Sequence, residues 1–354
     1  MRIVVLGGTG NIGTAVVRAL MAEPRVDEVV GAARRVPDPW PDVPGHAALA
    51  WTAIDITADD LDPLLDGADA VVQLSWLFQP THRPDVTWRN NVAGTERLLT
   101  SLRRCAVPAL VCSSSIAAYS PRTGLGAVGE AWPTHGASTA AYAREKAYVE
   151  RLLDVFEATV PSCRVVRIRP AFVFQREAAV QQRRLFGGPL VPGTLLRPEL
   201  IPVLPVPRGL RVQAVHSDDV AAAITATVTR PVTGAFNIAA DGVLDAKALG
   251  RLFQARVAPV SPRLVRGLLG GAWRAHLSPA PADLFDALLN LPTMSTTKAR
   301  RELNWAPSFT AADAVEQFLI GIREGTGGPT PALAAGTSGV LRLREWRSGV
   351  GTRP

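Results

Sequence analysis

The sequence predicts an α/β fold in which a doubly wound parallel sheet carries helices on both faces and a smaller mixed α/β part is attached. Three observations lead there. Short apolar runs recur at residues 3–6, 29–31, 68–74, 109–112 and 165–168, and segments of helical period such as 91–102 and 141–156 separate them. Strands covered on both faces read as continuous apolar runs, and strands alternating with helices form parallel sheets. A glycine-rich loop, GGTGNIG, sits in the first strand-to-helix turn. Residues 175–211 are rich in Pro and Gly and read as turns and loops, because proline lacks a backbone donor and fixes φ. Strand and helix patterns resume at 212–215, 218–229, 236–238 and 311–323. The expected organisation is a dinucleotide-binding part over 1–174 with 212–240 returning to it, and a substrate-binding part from 175–211 and 241–325. A mobile tail is expected over 326–354.

Composition narrows the function. The chain has 354 residues, 47% apolar and 19% charged, which excludes a disordered protein. Its net charge of +7 is spread singly and in pairs, so it suggests anionic small molecules and no nucleic acid. The N-terminal apolar run is interrupted by glycines and no stretch reaches 18 apolar residues, so neither a signal peptide nor a membrane span is expected. A cytoplasmic location follows as an expectation. Cys105, Cys112 and Cys163 lack C-x-x-C spacing and the five histidines form no H-x-x-x-H pair, which argues against disulfides and metal sites.

The loop places Gly7, Gly10 and Gly13 between a strand and a helix, with Asn11 and Ile12 opening that helix. Gly7 permits the tight turn, Gly10 lets a pyrophosphate approach the backbone, and Gly13 allows close helix-to-strand packing. After the second strand, Ala33 stands where an acid would hold an adenosine ribose, and Arg34 and Arg35 follow. Two arginines there suit a 2′-phosphate, so NADP is the expected cofactor and NAD the alternative. Asp55, with Ile56 beside it, is a candidate partner for the adenine amino group.

Tyr142 and Lys146 are four residues apart and so share a helical face, in a chain with only three tyrosines and three lysines. A nearby ammonium favours the phenolate, so a lowered tyrosine pKa and proton exchange with an alcohol or carbonyl are expected. Ser115, in SSSIAAY after the strand at 109–112, offers a hydroxyl to the reacting oxygen.

With these residues in place the sequence resembles the extended short-chain dehydrogenase/reductase superfamily, and within it the NAD(P)-dependent epimerase/dehydratase family. GGTGNIG, GADAVVQLSW, NNVAGTERLL, SSSIAAY, the Tyr142/Lys146 pair, RIRPAFVF, AVHSDDVA, FNIA and TTKARRELNWAP follow in order over residues 2–325. The resemblance implies a Rossmann fold and a catalytic triad of Ser115, Tyr142 and Lys146, with Lys146 also on the nicotinamide ribose. It implies Leu74, Ser75 and Asn91 near the cofactor or a catalytic water, and Pro170 beside the nicotinamide. It makes His216, Asp218 and Asp219 structural and implies a homodimer packed through the helices around Asn91 and Tyr142.

Dehydratases of this kind carry an acidic pair after the catalytic hydroxyl residue, whereas Ile116 and Ala117 stand here. A nucleotide-sugar epimerase is therefore the leading reading, with Arg176, Arg183, Arg184 and Arg211 as candidates for the diphosphate. The alternative is an NADPH-dependent reductase of a hydrophobic carbonyl compound, suggested by Leu185, Phe186, Leu190, Val191, Leu195, Leu196, Leu200 and Ile201. A non-catalytic dinucleotide sensor is the third reading. Trp76, beside the cofactor strand, either narrows the substrate pocket or packs.

Overall fold

The computed structural model describes residues 1–37, 44–188, 201–338 and 350. Seven strands form the central sheet: β1 (Arg2–Leu6), β2 (Glu28–Ala33), β3 (Ala48–Ala53), β4 (Ala70–Gln73), β5 (Ala109–Ser113), β6 (Arg164–Pro170) and β7 (Gly234–Ile238). Every pairing among them is parallel, in the order β7-β6-β5-β4-β1-β2-β3. The order reverses between β1 and β4, and ligands of such sheets bind outside the carboxyl ends of the strands at that reversal.

Alternation along each strand divides the core in two. Ile3 and Val5 join Val72, Val111, Val166 and Ile168 on one face, covered by Val16 and Leu20 of α1 (Asn11–Met21). Val4 and Leu6 join Val71, Leu110 and Val165 on the other, covered by Leu98 and Leu102 of α2 (Gly94–Arg104) and Leu153 of α3 (Ala141–Thr159). Helix α4 (Ser217–Thr229) packs beside α1 through Val220 and Ile224. The helix expected over 91–102 begins with a π-turn at Arg89–Ala93.

The Pro-rich expectation needs one correction. Residues 176–187 form consecutive short helical turns, and Val203–Pro207 pairs in parallel with Arg256–Val260. Pro205 and Pro207 are tolerated because this sheet has two strands and each keeps a free edge. Helices Pro262–Arg274 and Ala282–Leu289 follow, and the last long helix, α5 (Ala311–Glu324), starts on a capping box of Thr310 and Asp313. Leu190, Val191, Leu195, Leu196 and Leu200 lie outside the described residues.

The first part of the tail also differs from expectation. Thr330 and Leu333 are 0% and 1% exposed, and the Thr330 hydroxyl donates to the carbonyl of Thr9 at 2.6 Å. A buried side chain and a long-range hydrogen bond fix residues that composition alone marks as loose. Among the described residues no helix is long and apolar enough to cross a membrane.

Candidate active site

One cavity of about 1060 Å³ runs along the carboxyl ends of β1, β2, β4, β5 and β6. Its first half is the glycine loop. Gly7 has φ +81°, and a Cβ there would lie 2.7 Å from the Ser75 nitrogen; a Cβ on Gly13 would lie 2.2 Å from the Gly7 carbonyl oxygen. The loop is thus pressed against the end of β4 and against its own helix. Gly10 precedes α1 and no side chain caps that helix start, so its first N–H groups are free for an anion. Asn11 borders the cavity, and its side chain donates to Val173 O and accepts from Ser217 and Gln175. Ile12 lines the cavity.

Arg34 and Arg35 are exposed and border the cavity with Ala33 and Ile56. Asp55 borders it too, and its carboxylate accepts from the backbone and hydroxyl of Thr57 at 2.9 and 2.7 Å. Burial opposes its charge, but these hydrogen bonds and the nearby Arg34 hold it below the usual carboxylate range. This trough, with glycines where any side chain would intrude and an uncapped helix start, fits a dinucleotide.

At the other end stand Ser115, Tyr142 and Lys146, together with Leu74, Ser75 and Pro170, all on the cavity wall. Ser115 follows β5 in extended backbone, caps the short turn Ile116–Ala118 and accepts from Ala117 N at 3.1 Å. Ile116 and Ala117 are buried beside it, and neither supplies a carboxyl group. Lys146 is 4% exposed; its ammonium donates to Ser113 O at 2.8 Å and lies 3.4 Å from the centre of the Trp76 ring. Burial pulls its pKa down to about 8.

The expected lowering of the tyrosine pKa is corrected here. Burial pushes Tyr142 up to about 12, Ser115 pulls it back in part, and Glu145 raises it further. The ammonium is occupied by Ser113 and Trp76, 5.9 Å from the Tyr142 ring centre, so desolvation wins.

Asn91, expected near the cofactor or a catalytic water, lies one residue beyond the cavity wall. It is fully buried and outside the cavity wall, where Asn90 appears instead. The Asn91 amide accepts from Leu77 N at 2.7 Å and donates to Leu77 O and to Glu145 Oε2 at 2.8 and 2.7 Å. Thr87 donates to the other Glu145 oxygen at 2.6 Å. Asn91 and Glu145 therefore hold the strand-end turn that leads to Phe78, and Phe78 stacks on Tyr142 at 4.3 Å. Beneath the triad, Glu150 accepts from Ser114 at 2.6 Å and from two Arg169 nitrogens at 2.8 and 2.9 Å. Arg169 also donates to the Tyr119 hydroxyl, which donates to Asn237 on β7. Sequence reading missed Glu145, Glu150 and Arg169, since a lone charged residue carries no periodic signal.

The cavity beyond Tyr142 is apolar. Phe78, Phe186, Leu269, Leu284, Leu288 and Leu291 wall it. Of the four candidate arginines only Arg183 borders it, because Arg176 pairs with Glu324 on the surface and Arg184 and Arg211 stand off the wall. Leu185 joins this wall, whereas Ile201 does not. His216 accepts from Asp218 N at the start of α4, Asp218 pairs with Arg18, and Asp219 accepts from Ser308 and Phe309 N; these three are structural.

A family model described as the NAD dependent epimerase/dehydratase family matches residues 3–239. No curated protein matches the chain in sequence. Among solved structures, UDP-glucose 4-epimerase from Thermotoga maritima with UDP-glucose is similar at 18% identity and TM-score 0.67, covering 92% of this chain and 99% of that one. UDP-glucuronic acid 4-epimerase from Bacillus cereus with NAD is similar at 16% identity and TM-score 0.65, with the same coverage. UDP-glucose 4-epimerase from Thermus thermophilus with NAD gives 19% and 0.65, covering 91% and 99%. At these identities the likeness is one of fold.

Proposed function

The chain belongs to the NAD-dependent epimerase/dehydratase family, and on that premise we propose that it is an oxidoreductase or epimerase using Tyr142, Lys146 and Ser115 at a carbinol or carbonyl carbon. The observation that carries this reading is the meeting of the three side chains on the wall of the cavity that the glycine loop opens. When bound, the nicotinamide supplies or takes the hydride. The chain's own residues do the rest: Tyr142 moves the hydroxyl proton, Ser115 steadies the reacting oxygen, and Lys146 holds the nicotinamide ribose.

The leading substrate reading is epimerisation of a nucleotide sugar. It is supported by the family and by the UDP-glucose and NAD held by similar structures. The second reading, NADPH-dependent reduction of a less polar carbonyl compound, is favoured by the apolar wall beyond Tyr142 and by Arg183 alone of the four candidate diphosphate arginines bordering the cavity. An epimerase regenerates its cofactor at each turnover, so the first reading expects protein purified with stoichiometric dinucleotide, released on denaturation and identified by mass spectrometry. Empty protein that binds added NADPH speaks for the second. Binding of neither nucleotide removes the dinucleotide assignment altogether. For the NADP preference resting on Arg34 and Arg35, Ala33→Asp is expected to shift the ratio of affinities toward NAD by tenfold or so; an unchanged ratio takes both arginines out of the argument.

A homodimer through α2 and α3 is supported by Trp88, Tyr148 and Val155, which are 40%, 46% and 62% exposed next to these helices or on them. Trp88 and Tyr148 rings touch at 4.9 Å. Sedimentation velocity at micromolar protein is expected to give a dimer that Val155→Glu dissociates; a monomeric native protein removes the proposal.

A further inference from the structure

The chain beyond α5 returns to the glycine loop. Gly325 ends the helix at φ +66°, and Thr326 N donates to Gly321 O at 2.8 Å. The next residues close on themselves: Gly328 N donates to Leu333 O at 3.0 Å, and Leu333 N and Ala334 N both donate to Thr330 O at 3.0 and 2.9 Å. A Cβ on Gly327 would lie 2.3 Å from the Ala335 nitrogen, so the base of this small loop is pinched shut. Leu333 anchors it in the interior and Thr330, at its tip, is buried with its hydroxyl on the Thr9 carbonyl.

The place of that contact gives it meaning. Thr9 lies between Gly7 and Gly10, and Thr9, Gly10, Phe318, Ile322 and Ala332 all border the cavity. The tail thus supplies wall and a tether to the same loop whose backbone meets the pyrophosphate. Glycines leave such a loop little intrinsic stiffness, so a buried hydrogen bond to its middle residue restrains it where its own sequence does not.

We propose that residues 326–334 are a strap belonging to the dinucleotide site, which holds the glycine loop closed and slows release of bound nucleotide. The inference rests on the dinucleotide reading above. Removing the Thr330 hydroxyl leaves the Thr9 carbonyl buried without its donor, an imbalance relieved when the loop opens.

The test uses the full chain. Wild type, Thr330→Val, Thr330→Ser and Leu333→Ala are loaded with NADPH or NADH and mixed with excess oxidised nucleotide, and loss of nicotinamide fluorescence gives the dissociation rate. Thr330→Val is expected to raise it about fivefold to thirtyfold, and Leu333→Ala, which loosens the other anchor, moves it the same way. Thr330→Ser, which keeps the donor, stays near the wild-type rate. Hydrogen exchange of the nucleotide-free proteins is expected to rise over residues 7–14 in Thr330→Val. Unchanged release in both Thr330→Val and Leu333→Ala overturns the strap while leaving the dinucleotide site intact. A wild type that binds neither nucleotide overturns both readings.

Discussion

Replacing Tyr142 by Phe is expected to lower kcat by about 10²–10⁴-fold, the range for loss of a positioned proton-transfer group. Dinucleotide affinity should remain within a few-fold of wild type, because the glycine loop and the two arginines lie at the far end of the cavity. The substitution keeps the ring, so Phe78 retains its stacking partner. With its pKa pushed up to about 12, Tyr142 is a phenol at neutral pH and is set to donate its proton. Carbonyl reduction meets that need directly, whereas alcohol oxidation requires the phenolate and should gain rate as pH rises from 7 toward 10. Steady-state assays in both directions, with nucleotide titrations alongside, check this. A Phe variant that retains most of its turnover would sink the mechanism.

Lys146→Met is expected to abolish useful turnover and at the same time to stabilise the nucleotide-free protein at pH 7. The lysine's pKa is about 8 in the folded chain against 10.5 for a lysine in water, because burial penalises its charged form. Between those values the unfolded chain binds more protons than the folded one, and this group's contribution to stability rises with pH across the window. Below pH 8 the folded protein carries the whole penalty. Methionine of similar length removes it, at the loss of the Ser113 hydrogen bond and the Trp76 face contact. The balance is a gain of about 1–2 kcal/mol at pH 7 that reverses by pH 10, where the wild type has shed most of the penalty but still keeps its contacts. Thermal unfolding of both proteins at pH 7 and pH 10 reads it directly. A variant less stable than wild type at pH 7 would place the balance with the lost contacts.

Much of the fold was legible because its signals are local. The run at 3–6 alternates between two cores, the glycines mark a turn that Cβ atoms would block, and Tyr142 and Lys146 are four residues apart on one helix. What stayed hidden depends on partners far off in sequence. Trp76 lines the cavity and its ring face is set against the Lys146 ammonium, a contact that no sequence spacing announces. Asn91 is expected near the cofactor or a catalytic water, and the amide's bonds to Leu77 and Glu145 come from partners that its sequence position does not reveal. The tyrosine's proton affinity was misjudged because spacing gives proximity along a helix but says nothing of water. Val203–Pro207 looked unable to form a strand until its partner, Arg256–Val260, came from beyond the returning segment.

The hydrogen bond from Thr330 to Thr9 also sets an order of events during synthesis. Its ends are 321 residues apart. At about 5–20 residues per second, the glycine loop leaves the ribosome roughly 15–60 seconds before the residue that tethers it is made. A nascent chain can therefore pair β1 with β2 and bury α1 early, but its nucleotide pocket gains this tether only after Thr330 has emerged. A chain stopped before residue 330 would have its sheet in place and its nucleotide pocket untethered.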